Sequence, residues 1–177
     1  MTAASPETLT IDRIETPIGT ALVVTDENGV LRAFNWTEYE TAMREWVGKR
    51  YPGADLSEGK GPLGDTFSAY FSGEVRALEV IDWKGAGTTF QKEVWTALCA
   101  IPAGETWSYA QLAHHLGRPK AVRAVGLANG SNPVALVVPC HRVIGSDGSL
   151  TGYGGGLQRK KWLLEHEGAA FGRALRA

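Results

Sequence analysis

Pro139-Cys140-His141-Arg142 sets a thiol beside an imidazole and a guanidinium, and it is the most chemically specific stretch of this 177-residue chain. Only a thiolate is a strong nucleophile, and a cysteine near His or a cation can ionise one or more units below its usual pKa of about 8.5. His141 and Arg142 are therefore expected to lower the pKa of Cys140. Pro139 fixes its own φ and restricts the residue before it, so the sulfur leaves an apolar run, residues 134–138, on a stiff backbone. That run has strand length. Adjacent residues of an extended chain point opposite ways, so a Cys140–His141 partnership needs a local turn. The second cysteine, Cys99, has apolar or small neighbours on a helical pattern and reads as a packed small hydrophobe. The remaining histidines, His114, His115 and His166, form no paired metal spacing with the two cysteines, and there is no CxxC, so no metal is expected.

The elements that must hold this segment can be read outward from it. Ser108 can cap a helix carrying Tyr109, Leu112, Ala113 and Leu116; Gly117-Arg118-Pro119 then turns into a second helix over residues 120–129. This is either a helix-turn-helix, whose second helix faces DNA with Lys120 and Arg123, or an ordinary packed helical hairpin, and the pattern leaves both open. Upstream, Phe90, Val94, Leu98 and Ile101 mark an amphipathic helix stopped by Pro102 and Gly104. Lys84-Gly85-Ala86-Gly87 reads as a linker, which divides the chain into domains 1–85 and 86–177. In the first, Thr16-Pro17-Ile18-Gly19 and Asn28-Gly29 punctuate a strand meander. A helix follows over residues 38–51, then a loop rich in Gly, Pro and Ser to Gly64, a short helix around Phe67, Tyr70 and Phe71, and a short strand over residues 78–83.

Composition narrows the class. Hydrophobic residues make up 44% and charged residues 21% of the chain, close to the globular average, so disorder and fibrous repeats are poor readings. No stretch approaches the roughly 20 apolar residues of a membrane span, the start has no signal-peptide pattern, and two cysteines suit reduced thiols, so a soluble cytoplasmic protein is expected. The net charge of −1 hides an asymmetry. Residues 1–89 hold 8 basic against 14 acidic residues, whereas residues 90–177 hold 10 against 5. The basic half concentrates Arg118, Lys120 and Arg123, then Arg159, Lys160 and Lys161, which suits a local polyanion contact, although two solvated faces would look the same.

Several motifs then occur in one order: Phe90-Gln91 to Trp95, Gly104-Glu105-Thr106 with Ser108-Tyr109, Arg123-Ala124-Val125-Gly126 with Ala128-Asn129, and Asn132-Pro133. Val138-Pro139-Cys140-His141-Arg142-Val143-Ile144, Gly152-Tyr153-Gly154-Gly155-Gly156 and Leu163-Leu164-Glu165-His166-Glu167 complete the set. Together they make the chain resemble the O6-alkylguanine-DNA alkyltransferases, the methylated-DNA:protein-cysteine methyltransferase family, most strongly over residues 90–168.

The resemblance implies an α/β (α+β) protein. Its amino-terminal domain would be small and ribonuclease H-like; its carboxy-terminal domain would be mostly helical, with a winged-helix-like helix-turn-helix and the reactive cysteine. It implies repair by direct reversal: Cys140 takes the alkyl group from guanine O6 in double-stranded DNA, with O4-alkylthymine left open as a second substrate. His141 would act through a water as the base, Glu167 would orient it, Tyr109 would serve the leaving guanine at N3, and Asn132 would be the hinge before the cysteine. Arg123 would fill the gap left by the rotated nucleotide. Lys120, Ala124, Gly126, Ala128, Asn129 and Arg142 would complete the DNA contact, the small residues permitting close approach, although tight helix packing is the other use of such residues. Val143, Tyr153, Gly154, Gly155, Gly156 and Lys160 would line the base pocket. No cofactor is implied, and the protein would be a monomer, with cooperative assembly on DNA left open. An alkyl thioether has no good leaving group, so each chain would act once.

Two positions depart from the family pattern. Gly154 stands where some members carry a hydroxyl that can reach guanine, and Trp107 is larger than the residue expected between Thr106 and Ser108. Two other readings compete with alkyl transfer. A lesion-binding module similar to the alkyltransferase-like proteins would lack a working cysteine. A thiol hydrolase using the same three residues would leave Arg123 unexplained.

Overall fold

The computed structural model describes residues 5–172 and 175–176, and they divide into two compact units at Ala86/Gly87. In the first, β1 (Thr8–Thr16), β2 (Gly19–Asp26) and β3 (Leu31–Trp36) form an antiparallel meander. Its two turns fall at Pro17-Ile18 and around Asn28-Gly29, where Gly29 adopts φ 77°, a conformation that costs glycine little. A further strand, β4 (Asp55–Glu58), adds to β1 in parallel and gives the order β3-β2-β1-β4. It lies in the stretch read as loop: its sequence Asp-Leu-Ser-Glu carries no β-branched residue, and the pairing is supplied by β1. Helix α1 (Glu40–Arg50) covers one face, where Met43, Val47 and Tyr51 pack with Leu9, Ile11, Leu22, Val24 and Ala33. Helix α2 (Gly64–Phe71) supplies Phe67, which stacks on Phe34 at 5.6 Å. Ala33 and Phe34 are successive strand residues and so point to opposite faces, which is why β2 is buried from Ala21 to Asp26.

The strand expected over residues 78–83 is instead a 3-10 turn, Ala77–Val80. Its backbone groups bond locally, Glu79 N–H to the Arg76 carbonyl and Ile81 N–H to that of Leu78, and only Leu31 bridges to Trp83.

Helices supply most of the regular structure of the second unit. Helix α3 (Thr89–Leu98) begins with a capping box between Thr88 and Gln91 and buries Val94, Trp95, Ala97 and Leu98. It ends one residue before Cys99, which caps the helix and is exposed, correcting its reading as a packed hydrophobe. The apolar stripe passes from Leu98 to the buried Ile101 and leaves Cys99 off its face. A two-residue strand, β5 (Trp107–Ser108), runs directly into α4 (Tyr109–His115), whose own capping box joins Ser108 and Gln111. After a turn at Gly117 (φ 70°), α5 spans Val122–Gly130. The Trp95 indole N–H donates to the Ala128 carbonyl at 2.8 Å and fixes α5 against α3.

Residues 134–138 are not a strand. Val138 N–H closes on the Val134 carbonyl at 3.0 Å, Leu136 has φ 73°, and the only bridge joins Ala135 to Val138 within the same loop. Val134, Leu136 and Val138 are still buried, so the run satisfies its hydrophobic demand as a folded loop, which periodicity cannot distinguish from a short strand. Strand β6 (Val143–Ile144) pairs in parallel with β5; then come β7 (Leu150–Thr151), α6 (Leu157–His166) and β8 (Leu175–Arg176), which pairs with β7. None of the described helices is long and apolar enough to cross a membrane.

Candidate active site

Pro139 has φ −83° and ψ 63°, the geometry of an inverse γ-turn. The turn is closed by Cys140 N–H donating to the Val138 carbonyl at 2.8 Å. That carbonyl also accepts from the Asn132 amide at 2.8 Å, while the Asn132 side-chain oxygen accepts from Val134 N–H at 3.0 Å. Asn132 thus pins both ends of the 134–138 loop, and its side chain also hydrogen-bonds the Cys140 thiol. Cys140, His141 and Arg142 form one 3-10 turn, the local turn that a Cys-His partnership requires. From there Val143 pairs with Trp107 and Ile144 with Ser108, so the β5–β6 ladder carries the thiol segment to the start of α4, where Tyr109 sits.

The titratable groups of this turn are buried. Cys140 is 6% exposed and His141 is fully buried. Burial pushes the thiol above its ordinary pKa, partly offset by the Asn132 hydrogen bond and the nearby charge of Lys160. This corrects the expectation of a thiol lowered by its sequence neighbours. His141 is held below its usual pKa, because desolvation outweighs the pull of Glu167. The neutral ring places Nε2 against both Glu167 oxygens, at 3.0 and 3.1 Å. A carboxylate only accepts, so Nε2 carries the proton and Nδ1 keeps a lone pair. Nδ1 is buried and has no partner among the described residues.

Arg142 was expected at the DNA surface and is not there. It is 8% exposed, and its Nε and Nη2 clamp the two Glu167 oxygens at 2.9 Å each while Nη1 donates to the Ile101 carbonyl at 2.7 Å. Burial alone would push Glu167 up, but the hydrogen bonds from His141 and Arg142 and the Arg142 charge hold it well below the usual carboxylate range. Arg142 therefore keeps ionised the acceptor that orients His141. Sequence reasoning missed this partner because the pairing spans 25 residues and the arginine's type suits a phosphate equally well.

Lys160 lies on α6 with no exposed surface. Its ammonium meets the carbonyls of Val143 and Thr151 at 2.6 and 2.8 Å and that of Gly152 at 3.5 Å. Burial lowers its pKa to about 8. The Thr151 carbonyl also accepts from the Tyr109 hydroxyl at 3.3 Å. Thus β6, β7, the glycine-rich loop from Gly152 and Tyr109 converge on one lysine. The Tyr153 hydroxyl is buried without a partner among the described residues, and burial holds its pKa well above the usual phenol value. Gly154 is exposed, and a Cβ there would meet nothing within 4 Å. Gly155 is half-buried, its carbonyl accepting from Arg159, and Gly156 caps α6 with φ 94°. Trp107 packs its ring against His115 at 4.9 Å.

The DNA-facing expectations on α5 divide by face. Lys120, Arg123 and Ala124 are exposed. Ala128 and Asn129 are 3% and 4% exposed and face inward, correcting their place in a DNA contact. Gly126 is half-buried, and a Cβ there would lie 3.6 Å from the Tyr109 ring, an ordinary packing contact, so this position faces Tyr109. Among the described residues no group of three or more His, Cys, Asp or Glu could hold a metal ion.

Comparison with known proteins decides what this arrangement belongs to. The family model for the 6-O-methylguanine DNA methyltransferase DNA-binding domain matches residues 89–169. The methylated-DNA–protein-cysteine methyltransferase of Salmonella typhimurium is 48% identical over 161 residues, 89% of this chain and 94% of that one. The chain belongs to the methylated-DNA–protein-cysteine methyltransferase family. The Mycobacterium tuberculosis member is also 48% identical, over 87% of this chain and 89% of its own. A crystal structure of the M. tuberculosis O6-methylguanine methyltransferase superposes with a TM-score of 0.74 at 40% identity, covering 90% of this chain and 93% of that one. A structure of the M. tuberculosis protein in complex with DNA gives 0.75 at 41%, covering 90% and 92%. The mixed α/β fold is thus that of known methyltransferases of this family.

Proposed function

We propose that this protein repairs DNA by direct reversal, moving the alkyl group of O6-alkylguanine in duplex DNA to Cys140 in a single irreversible turnover. The observation that carries the reading is the wiring of His141: Nε2 is committed to an ionised Glu167, and the lone pair of Nδ1 is buried and unpartnered on the same turn as the thiol. A water between Nδ1 and Sγ would let His141 take the thiol proton when substrate arrives. The resting thiol, held up by burial, becomes a thiolate only then.

The step balances without a cofactor. The sulfur attacks the alkyl carbon, the S–C bond forms as the C–O6 bond breaks, and the electron pair passes into the guanine ring. The proton given up by the thiol matches the one guanine regains at N1. Tyr109, whose hydroxyl rests on the Thr151 carbonyl, is placed to redirect its O–H to guanine N3 and stabilise the growing negative charge. Asn132 and the β5–β6 ladder hold the thiol segment and Tyr109 in register. Val143, Tyr153 and residues 154–156 would form the base pocket, with Lys160 bracing it from within.

Reaching O6 requires rotating the nucleotide out of the stack, at a cost of a few kcal/mol. Arg123 would fill the gap, with Lys120 on a phosphate and Ala124 allowing close approach. In this reading residues 1–85 are the small ribonuclease H-like domain, a role the β3-β2-β1-β4 order suits. Residues 86–177 would be a winged-helix-like DNA-binding and transfer domain. The protein would work in the cytoplasm as a monomer. Incubation with excess O6-methylguanine duplex tests the reading: restored guanine should plateau at or below one per chain and be absent for Cys140→Ser. Sustained turnover would refute it.

A further inference from the structure

Helix α5 presents one large apolar side chain to solvent for which nothing in the fold accounts. Leu127 is 73% exposed. A single exposed leucine needs no explanation in general, but this one stands one helical turn after Arg123, at i and i+4, on the same face. The rest of that face is Val122, 36% exposed, with Ala124 and Gly130. The opposite face, Val125, Ala128 and Asn129, is buried. Arg123 is therefore the only exposed polar side chain on α5, with Lys120 just before its start.

With Arg123 committed to the gap in the stack, this face keeps no hydrogen-bonding side chain to match base edges in a major groove. Arginine beside small residues and an apolar wedge is instead the equipment of minor-groove binding. We infer that Leu127 lies against the floor of the minor groove beside the extruded nucleotide and favours lesions flanked by A·T pairs. The inference rests on the proposed DNA-repair reading. Four residues of helix advance about 6 Å, less than two base steps of 3.4 Å, so the leucine falls within two base pairs of the gap that Arg123 fills. There the minor-groove edge of A·T offers only acceptors, whereas G·C adds the guanine 2-amino donor. Leucine methyls over that amino group would cover an N–H that they cannot satisfy.

The test is single-turnover transfer by the full chain, at subsaturating DNA, on O6-methylguanine duplexes whose two flanking pairs on each side are A·T, G·C or inosine·C. Inosine lacks only the 2-amino group. The wild type should react roughly fivefold faster on inosine·C and A·T than on G·C. Because inosine·C also opens more easily, Leu127→Ala supplies the reference: it should still transfer, with the inosine·C to G·C ratio reduced to about its pairing-only value. An unchanged ratio in Leu127→Ala overturns the inference and leaves alkyl transfer standing. A preference abolished by uracil in place of thymine would do the same, since it would point to the major-groove methyl. Absence of transfer on every duplex by a folded protein would instead refute the function on which the inference rests.

Discussion

Replacing Lys160 by Met in a Cys140→Ser background should convert a stability curve that rises with alkaline pH into one that does not. Lys160 has no exposed surface, its ammonium is surrounded by three backbone carbonyls, and its pKa is lowered from 10.5 to about 8 by burial. A group whose basic form is favoured by folding binds fewer protons folded than unfolded between these two values, so its contribution to stability rises with pH across that window. Below about pH 8 the charge opposes folding in full; by about pH 10.5 most of that opposition is gone. At about 1.4 kcal/mol per pKa unit the swing is roughly 3 kcal/mol. Chemical unfolding of Cys140→Ser and Cys140→Ser/Lys160→Met at pH 7.5 and 10.5 measures it as a difference of differences, in which the remaining titrating groups cancel. The serine keeps the ionisation of a thiol, which would raise the pKa of Lys160, out of this pH window. A gap between the two proteins that changes by less than about 1 kcal/mol over this range would mean that Lys160 ionises as it does in water, and the account of a buried ammonium bracing the pocket would be wrong.

Arg142→Ala should destabilise the fold by about 3–5 kcal/mol, because it leaves the Glu167 carboxylate buried without its bidentate partner; urea unfolding at neutral pH measures it. His141 and Glu167 both have depressed folded pKa values. The stability each contributes is present above its unfolded value, about 6.5 and 4.5, and is lost as pH falls, so unfolding free energy should decline from about pH 6.5 downward, and Glu167→Gln should flatten the lower part of that decline. Asn132→Ala removes two hydrogen bonds from the 134–138 loop; single-turnover transfer should fall by at least about tenfold, while binding to undamaged duplex, followed by fluorescence anisotropy, changes less than about twofold.

Much of the second unit could be read from residue types because its signals are local. Ser108 and Gln111 announce the start of α4, Gly117 its end, and the Phe90-to-Leu98 period lies on one helix. Cys140 was legible through its neighbours for the same reason. What could not be read depends on distant partners. Arg142 looks like a phosphate contact until Glu167 arrives from the end of α6, and Lys160 looks like surface until three carbonyls from β6, β7 and the following loop enclose it. Residues 134–138 carry a strand's composition, yet Asn132 and the turn at Leu136 close them on themselves. Strand β4 is polar and takes its conformation from β1. The sign of the Cys140 shift failed for a related reason: sequence shows the charges near a thiol but not the water removed from it, and here burial dominates.

The central claim is that Cys140 becomes the permanent home of the alkyl group. Peptide mass spectrometry after mixing the protein with an O6-methylguanine duplex tests it most directly. One methyl on the peptide bearing Cys140, none on Cys99, and an equal amount of restored guanine is the predicted result. An unmodified Cys140 in protein that binds the duplex, or guanine restored without a methylated cysteine, would contradict it.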